Sequence, residues 1–561
     1  MLPQYLPILA ILAGSALANW RSAPGLARDT APPGASPYTF DLNAGAALQT
    51  ETDVKPATDV EFTTGGGVTH SQPYDYQRIR SDGPLLLQDV HMIETLAHFV
   101  RERIPERIVH AKGAGAHGYF EATNAEWAKK YTIMCNGLKT PVTVRFSTVG
   151  GEMGSADSAR DPRGFAVKMR SRKGILDLVM NNTPVFFIRD PTKFPHFIHT
   201  QKRNPETHLR DPDLFWDYLG SNPESLYQVM RLFSDLGTPQ GFRHMNAWTG
   251  HTYRWVKAEG SFVYVKLYFD TMQGVQNFTN AEAVSLAGSN PDFATQDLFE
   301  SIKNKTYPGW TVYAQVLTPQ QAETFKYNVF DLTKDWGFDD VPRVEIGKMY
   351  LTQNPVNYFT EIEEAAFSPG RTIPGWEASA DPVLQSRLFS YGDAHRYRLG
   401  VNYLQLPVNA PTVPIANFQR DGHMAFSNQG SRPNYASTLE RIKLAPMPYI
   451  DGAHLQWTGV AVESLAQVTA IDFDWPQRFW KSLSEQDQKN FIGNVVGHLG
   501  NAKSVSVRQR QVALFALVDS ALGKAIADGV GVEVPSPLPN FSPGPTWLNV
   551  TVPSNSSTLN Y

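Results

Sequence analysis

The sequence predicts an α+β protein: an antiparallel β-barrel core with an N-terminal arm, a long wrapping segment and a C-terminal helical domain. Three observations carry that expectation. Runs of β-branched and aromatic residues, TPVTVRFSTV, ILDLVMNNTPVFFI, SFVYVKLYF and WTVYAQVL, lie in the middle of the chain between turn residues. Helical spacing lies on either side of them, at Val90, Ile93, Leu96, Ala97 and Val100 and again from Ser484 onward. Residues 340–470 hold many prolines and little periodicity, the pattern of a segment laid over something else.

In chain order, residues 1–18 contain LPILAILAGSALA, a short apolar run ending in Ala16-Leu17-Ala18, the small-x-small form of a signal-peptidase site. The run is too short to span a bilayer, and no Lys or Arg precedes it. N-x-S/T triplets at Asn277, Asn304, Asn540, Asn549 and Asn555 agree with export, so the expectation is a secreted glycoprotein. The last residues, Thr558 to Tyr561, are not a Ser-Lys-Leu peroxisomal signal. Residues 19–104 read as an arm ending in the first helix, and 105–352 as the barrel. Residues 353–470 form the wrapping segment, 471–530 the helical domain and 531–561 a loose tail. Ser484 and Asp487 make a capping-box-like helix start, followed by Phe491, Val495 and Leu499 at four-residue steps. QVALFALVDSALGKAIADGVG reads as one further helix ended by Gly529 and Gly531.

The 561 residues carry a net charge of −4 with 19% charged residues, an ordinary globular balance. Nothing in it favours nucleic acid or a membrane as a partner. The single cysteine, Cys135, excludes an intrachain disulfide.

The chemistry begins in RERIPERIVHAKGAG, where His110 follows three arginines, two glutamates and an Ile-Val pair. If ERIVH is extended, Val109 and His110 point to opposite faces, with Arg107 on the side of Val109. A histidine among apolar residues is a general acid-base group kept near neutral by desolvation, or simply a hydrogen-bonded core residue. In TVRFSTV, Arg145 and Ser147 share one face and Phe146 takes the other. Asn181 and Asn182 end an apolar run, as polar groups that orient a small substrate or as turn residues. In DPVLQSRLFSYGDAHRYRLG, Arg387 and Tyr391 stand four apart, one helical turn, where a guanidinium favours a phenolate and a phenolate suits a metal. His395 and Arg398 follow within reach of carboxylates.

RERIPERIVHAKGAGAHGYFEAT, VTVRFSTVGGEMGSADSARDPRGFAVK, NNTPVFFIRD, FIHTQKRNP, NPVNYF and RLFSYGDAHRYRLGVNYLQLPVN together resemble the monofunctional haem catalases, in order from about residue 75 to 505. Haem iron held by tyrosine is the arrangement known in catalase. The resemblance implies that His110 is the distal catalytic histidine, Asn181 its partner on the hydrogen peroxide side and Ser147 the group that holds the imidazole. It implies Tyr391 as iron ligand, Arg387 as the cation that keeps it a phenolate, and His251 with Asp381 in the network behind it. Arg107, Arg145, Arg398 and His395 would hold the propionates of haem b, Val109 would pack on the haem face and Phe194 near its edge. Asp161, in RDPRG, would sit in the substrate channel.

The resemblance also implies a homotetramer with interlaced arms, of the small-subunit type because the chain ends soon after the helical segment. Animal catalases hold NADPH partly through His, Arg and Lys. The aligned residues here are Tyr227, Leu236, Tyr268 and Asp270, so NADPH binding is expected to be weak or absent. His117 and Asn124 also depart from the animal pattern, with no consequence readable from the sequence. The alternatives are a catalase-fold peroxidase, an organic hydroperoxide isomerase, or a haem-binding relic without activity. The full set His110, Asn181, Ser147, Arg387, Tyr391 and Asp161 favours hydrogen peroxide as substrate.

Overall fold

The computed structural model describes residues 61–124, 126–127, 139–257, 259–425, 429–444 and 464–542. Outside the described residues lie the apolar segment 1–18, the arm up to residue 60, Cys135, the stretch 445–463, and the tail from 543 with Asn549 and Asn555.

Ten strands make one antiparallel sheet: β1 Gly113–Ala122, β2 Lys139–Ser147, β3 Gly164–Ser171, β4 Gly174–Asn181, β5 Ala247–Trp248, β6 Tyr253–Val256, β7 Phe262–Thr271, β8 Gly309–Leu317, β9 Arg343–Gln353 and β10 Trp376–Ala378. They run in the order β10-β6-β7-β5-β4-β3-β2-β1-β9-β8. Because β7 also pairs with β8, eight strands close into a barrel and β6 and β10 extend from β7. Closure removes the open edges that would otherwise pair with other chains.

Alternation sorts the side chains. Val142, Val144 and Phe146 of β2 point into the barrel core with Ala114, Ala116, Phe165, Val167, Leu178 and Met180. Phe146 stacks on Phe242 at 5.2 Å and meets Phe165 edge-on at 4.6 Å between ring centroids. Thr143, Arg145 and Ser147 take the outer face, as the period of two requires. That face is not open to water. The chain from about 355 to 410 covers it, and Lys168 and Asp177 pair there at 2.9 Å, joined by Arg371 at 3.1 Å. Lys168 also donates to the Ala366 carbonyl. Burial drives its pKa down to about 7 against the pull of Asp177.

A second core joins the helices Lys193–Gln201, Pro212–Ser221 and Leu226–Phe233 to the C-terminal helices Asp474–Ser482, Glu485–Leu499, Val505–Val518 and Ser520–Val530. Ser484 caps its helix by accepting the Asp487 amide, and Phe491, Val495 and Leu499 are buried, as their spacing implies. The single helix expected after residue 511 is two. Asp519 adopts an extended conformation and caps the second by accepting the Leu522 amide, while Gly531 ends it in the left-handed region at φ 69°.

The helix Val90–Phe99 forms, yet Val90, Ile93 and Leu96 are exposed, and only His91 of that helix is buried. The stretch from 340 contains β9, a turn of π-helix at Phe359–Glu363 and the long helix Pro382–Leu399. Their regular hydrogen bonding was hidden by mixed composition.

A buried ion cluster ties the barrel side to the C-terminal helices. Arg189 donates to Asp472 at 2.6 Å and to Asp331 at 3.0 Å, and Lys334 pairs with both carboxylates. Removing Asp472 leaves two buried cations sharing the single carboxylate of Asp331. Asp472→Ala is therefore expected to cost about 3–5 kcal/mol, read as a lowered midpoint in chemical or thermal unfolding. An unchanged midpoint would show that the cluster does not hold the two parts together.

Candidate active site

The loop 105–112 leads into β1 and carries His110 in the left-handed region, at φ 63°. The extended alternation considered for ERIVH therefore stops at His110, and backbone strain of this kind persists only where neighbours enforce it. They do so here. The His110 amide donates to the Val149 carbonyl at 3.0 Å, and Arg145 donates to the carbonyls of His110 and Ala111 at 2.8 and 3.0 Å. Nδ1 of His110 lies 2.9 Å from Ser147 Oγ.

Register places Asn181. Ser147 pairs with Gly164, and Gly164 with Asn181, so the three stand side by side on one rung of the outer face. Strands about 4.8 Å apart put Ser147 and Asn181 roughly 10 Å from each other, with Gly164 between. The glycine is required. A Cβ there would lie 2.6 Å from His110 Nδ1 and 2.4 Å from Ser147 Oγ, so the imidazole occupies the space a side chain would fill. Asn182, by contrast, spends its side-chain oxygen on the Arg163 amide and is structural.

Burial, with the positive charges of Arg145, Arg387 and Arg107, lowers the pKa of His110 to about 3. It is neutral in any ordinary buffer.

Facing this rung is the helix Pro382–Leu399. Its cap, Asp381, accepts the Val383 and Leu384 amides with Oδ1 and binds His251 Nδ1 at 2.6 Å with Oδ2. The pKa of His251 is lowered, burial outweighing the attraction of Asp381. Arg387, Tyr391, His395 and Arg398 follow at steps of four, four and three, one face about 16 Å long. Arg387 Nη2 donates to Tyr391 Oη at 2.7 Å and to the Val179 carbonyl at 3.3 Å, two residues before Asn181 on β4. Burial opposes the charge of Arg387, but Tyr391, Tyr253 and Asp381 outweigh it and raise its pKa.

Arg107 and Arg398 converge on the same two carbonyls, Glu363 and Ala365, at 2.7 to 3.1 Å. Burial and mutual repulsion with Arg145 and Arg398 push the pKa of Arg107 well down. The carboxylate facing them is Glu363, 3.5 Å from Arg107 and 3.9 Å from Arg398. His395 uses Nε2 to donate to the Phe367 carbonyl, while its buried Nδ1 has no partner among the described residues. Val109 and Phe194 are half-buried against the second core.

Asp161 stands to one side. It lines a cavity of about 150 Å³ with Thr148, Gln201, Lys202, Arg210 and His498. Its Oδ2 accepts the amides of Val149 and Gly150, both at 2.6 Å, and so it touches the residue that holds the His110 backbone.

Two residues of this arrangement escaped the sequence reading. Gly164 had a signal, a glycine opening an apolar run, which marks close approach to a backbone. Glu363 had none.

Fold and site define a closed antiparallel β-barrel whose outer face, covered by a long segment, buries a histidine beside a cluster of arginines. The comparisons with known proteins narrow the class. A family model described as Catalase matches residues 63–441, and one described as Catalase-related immune-responsive matches 470–530. The chain is 51% identical over 481 residues to a catalase of Schizosaccharomyces pombe, covering 84% of this chain and 93% of that protein. It is 50% identical over 472 residues to the peroxisomal catalase of Candida albicans, covering 83% and 97%. A fungal catalase crystal structure matches with TM-score 0.82 at 47% identity over 85% of this chain and 98% of that one. Catalase A from Saccharomyces cerevisiae matches with TM-score 0.82 at 46% identity over 85% and 100%. The chain belongs to the catalase family, the enzymes that decompose hydrogen peroxide.

The expectation of secretion is corrected by the same comparisons. The relatives from Candida albicans and Candida tropicalis, each 50% identical over 472 residues, are named peroxisomal catalases. An apolar run with a small-x-small ending is a short pattern, and this one lacks the basic residues that open a secretory signal. The glycoprotein expectation rested on secretion and falls with it.

Catalases normally bind haem, and the residues present fit it. Among the described residues Glu363 is the one carboxylate within 4 Å of the converging Arg107, Arg145 and Arg398, an excess of positive charge that two propionates would neutralise. The unpartnered His395 Nδ1 and the half-buried Val109 and Phe194 suit a flat apolar group with a polar rim.

Proposed function

We propose that the chain disproportionates hydrogen peroxide on haem b, with His110 and Asn181 on the peroxide side and the Tyr391 phenolate as iron ligand. The observation that carries this reading is the placement of His110 over Gly164, on the rung that also holds Ser147 and Asn181. Haem supplies the redox chemistry of O–O cleavage and dioxygen formation when bound. The residues supply position and protons.

Ser147 accepts the Nδ1 proton of His110, which leaves the Nε2 lone pair as base. Nε2 takes the proton from one peroxide oxygen and returns it to the other, so that water can leave. The Asn181 amide orients the peroxide. Arg387 stabilises the negative charge of Tyr391 at 2.7 Å, and Asp381 with His251 fixes the start of that helix. Arg107, Arg145, Arg398 and His395 hold the propionates, Val109 and Phe194 hold the ring, and Asp161 belongs to the substrate channel.

NADPH has no place in this reading. Tyr227 stacks on Trp475 at 5.5 Å, Asp270 pairs with Arg343, Tyr268 bonds Gln315 and Leu236 packs on the second core. None of the four aligned residues is itself a cation, and the neighbouring Arg343 is already paired with Asp270. The exposed apolar faces, Val90, Ile93 and Leu96 on one helix and Phe389 and Tyr397 on another, support burial in a homotetramer. The compartment is that of the peroxisomal relatives.

The pH profile tests the acid-base assignment. With its pKa at about 3, His110 is a neutral base everywhere above that, so initial rates of oxygen release are expected to be flat from about pH 6 to 9. Acid acts on stability first. His110, His395 and His498 are all lowered from 6.5, so the unfolded chain binds protons that the folded one does not as pH falls below 6.5. Each costs up to about 1.4 kcal/mol per pH unit toward its folded value. Circular dichroism followed beside the rate should lose amplitude where the rate falls. A rate midpoint near 6.5 with the fold intact would refute a desolvated His110.

A further inference from the structure

His117 departs from the animal pattern and has no part in the chemistry above, yet it is fully buried and bonded at both ring nitrogens. We propose that His117 is a positioning residue that sets the π-helical turn Phe359–Glu363 and, through it, the guanidinium groups of Arg107 and Arg398. The inference rests on the reading of those arginines as propionate holders.

The outer face of β1 reads Gly113, Gly115, His117, and each position makes room for or grips something laid over it. A Cβ at Gly113 would meet the Arg145 guanidinium at 2.8 Å, and one at Gly115 would meet Ile362 Cδ1 at 2.6 Å. Ile362 belongs to the π-helical turn, which therefore lies directly on β1. At His117 the strand grips it, Nε2 standing 2.7 Å from Glu361 Oε2. A register shift in the pairing with β9 falls between His117 and Gly118, at the same point of the strand.

The hydrogen bonds run in one direction. Glu361 can only accept, so Nδ1 of a neutral His117 is the acceptor of the Thr143 hydroxyl at 3.0 Å, and Thr143 Oγ1 in turn accepts from Arg170 at 2.8 Å. The ring proton then sits on Nε2 and goes to Glu361, whose other oxygen accepts the amides of Val356 and Asn357 at 3.1 and 2.9 Å. Burial lowers the pKa of His117, and that of Glu361 is lowered too, its hydrogen bonds from His117 and the Asn357 amide outweighing burial, so a neutral imidazole faces a carboxylate.

The turn held this way, with the two residues after it, presents the acceptors of two arginines. Arg107 donates to the carbonyls of Ile362, Glu363 and Ala365, and Arg398 to those of Glu363 and Ala365. A turn displaced from β1 moves both guanidinium groups together. Supporting groups of this kind typically change the affinity for a bound group by about 10-fold or more.

The test uses the haem-loaded enzyme and measures haem release to excess apomyoglobin, with the thermal midpoint of each variant. His117→Leu is expected to release haem about 10-fold faster, and His117→Gln, whose amide can still donate to Glu361, to stay nearer the parent. His117→Leu/Glu361→Gln removes the buried charge and keeps an acceptor for the two amides. Its midpoint is expected to recover while fast release persists, because the strand no longer grips the turn. Release at the parent rate in His117→Leu or in the double variant would overturn the proposal. If His117→Leu does not fold, faster release from His117→Asn than from His117→Gln supports it and equal release overturns it. Arg398→Gln separates the two ideas: parental release from this variant would sink the propionate reading itself, whereas fast release there with parental release from His117→Leu would sink only the role of His117.

Discussion

His110→Ala is expected to keep its haem and lose oxygen release from hydrogen peroxide by about 10³-fold or more, the scale of a lost general acid-base group. The substitution removes the one ring held between Ser147 Oγ and the space over Gly164. It leaves the arginines and the helix Pro382–Leu399 untouched, so the absorption spectrum should report a bound cofactor. Asn181 and Ser147 remain on their rung, but neither titrates, and a proton can no longer pass between the two peroxide oxygens. Oxygen-electrode rates with stoichiometric haem check the point. Activity within a few-fold of the parent would mean that another group moves the proton.

The second large effect falls on the other side. Tyr391→Phe is expected to be isolated with roughly a tenth or less of the parental haem content, because a phenyl ring offers iron no ligand. The loss is sharpened by Arg387, which keeps its bond to the Val179 carbonyl but loses the phenol oxygen 2.7 Å away. A half-buried cation then faces the site without its partner. Haem-to-protein ratio, circular dichroism and the iron-ligand absorption bands together separate failed folding from failed ligation. A folded variant with full haem and the parental spectrum would remove Tyr391 from the role of ligand.

Much of this site was legible. TVRFSTV divides Arg145 and Ser147 from Phe146 by strand alternation alone, and β2 keeps that division with Phe146 in the barrel core. Arg387, Tyr391, His395 and Arg398 fall on one face by helical spacing, and Asp381 caps the helix they share. Ser484 marks its own helix start. Less was legible where composition runs against the element it forms. β1 and β3 open with glycines because a ring, a guanidinium or a methyl group fills the place of each missing side chain, and such strands carry little hydrophobic alternation. β9 lay within a stretch read as irregular, and Asp519 divides a helix that periodicity ran together.

By itself the sequence determined the period of each strand and helix, the charges beside His110 and the order of the motifs, because these depend on local geometry and residue type. Only the tertiary structure decided that Ser147, Gly164 and Asn181 share a rung, that His110 turns back at positive φ to lie over the glycine, and that Glu363 answers two arginines more than 250 residues apart in sequence. Register and closure join residues that no local rule connects, since the pairing of strands is chosen by the whole buried surface and not by any one of them.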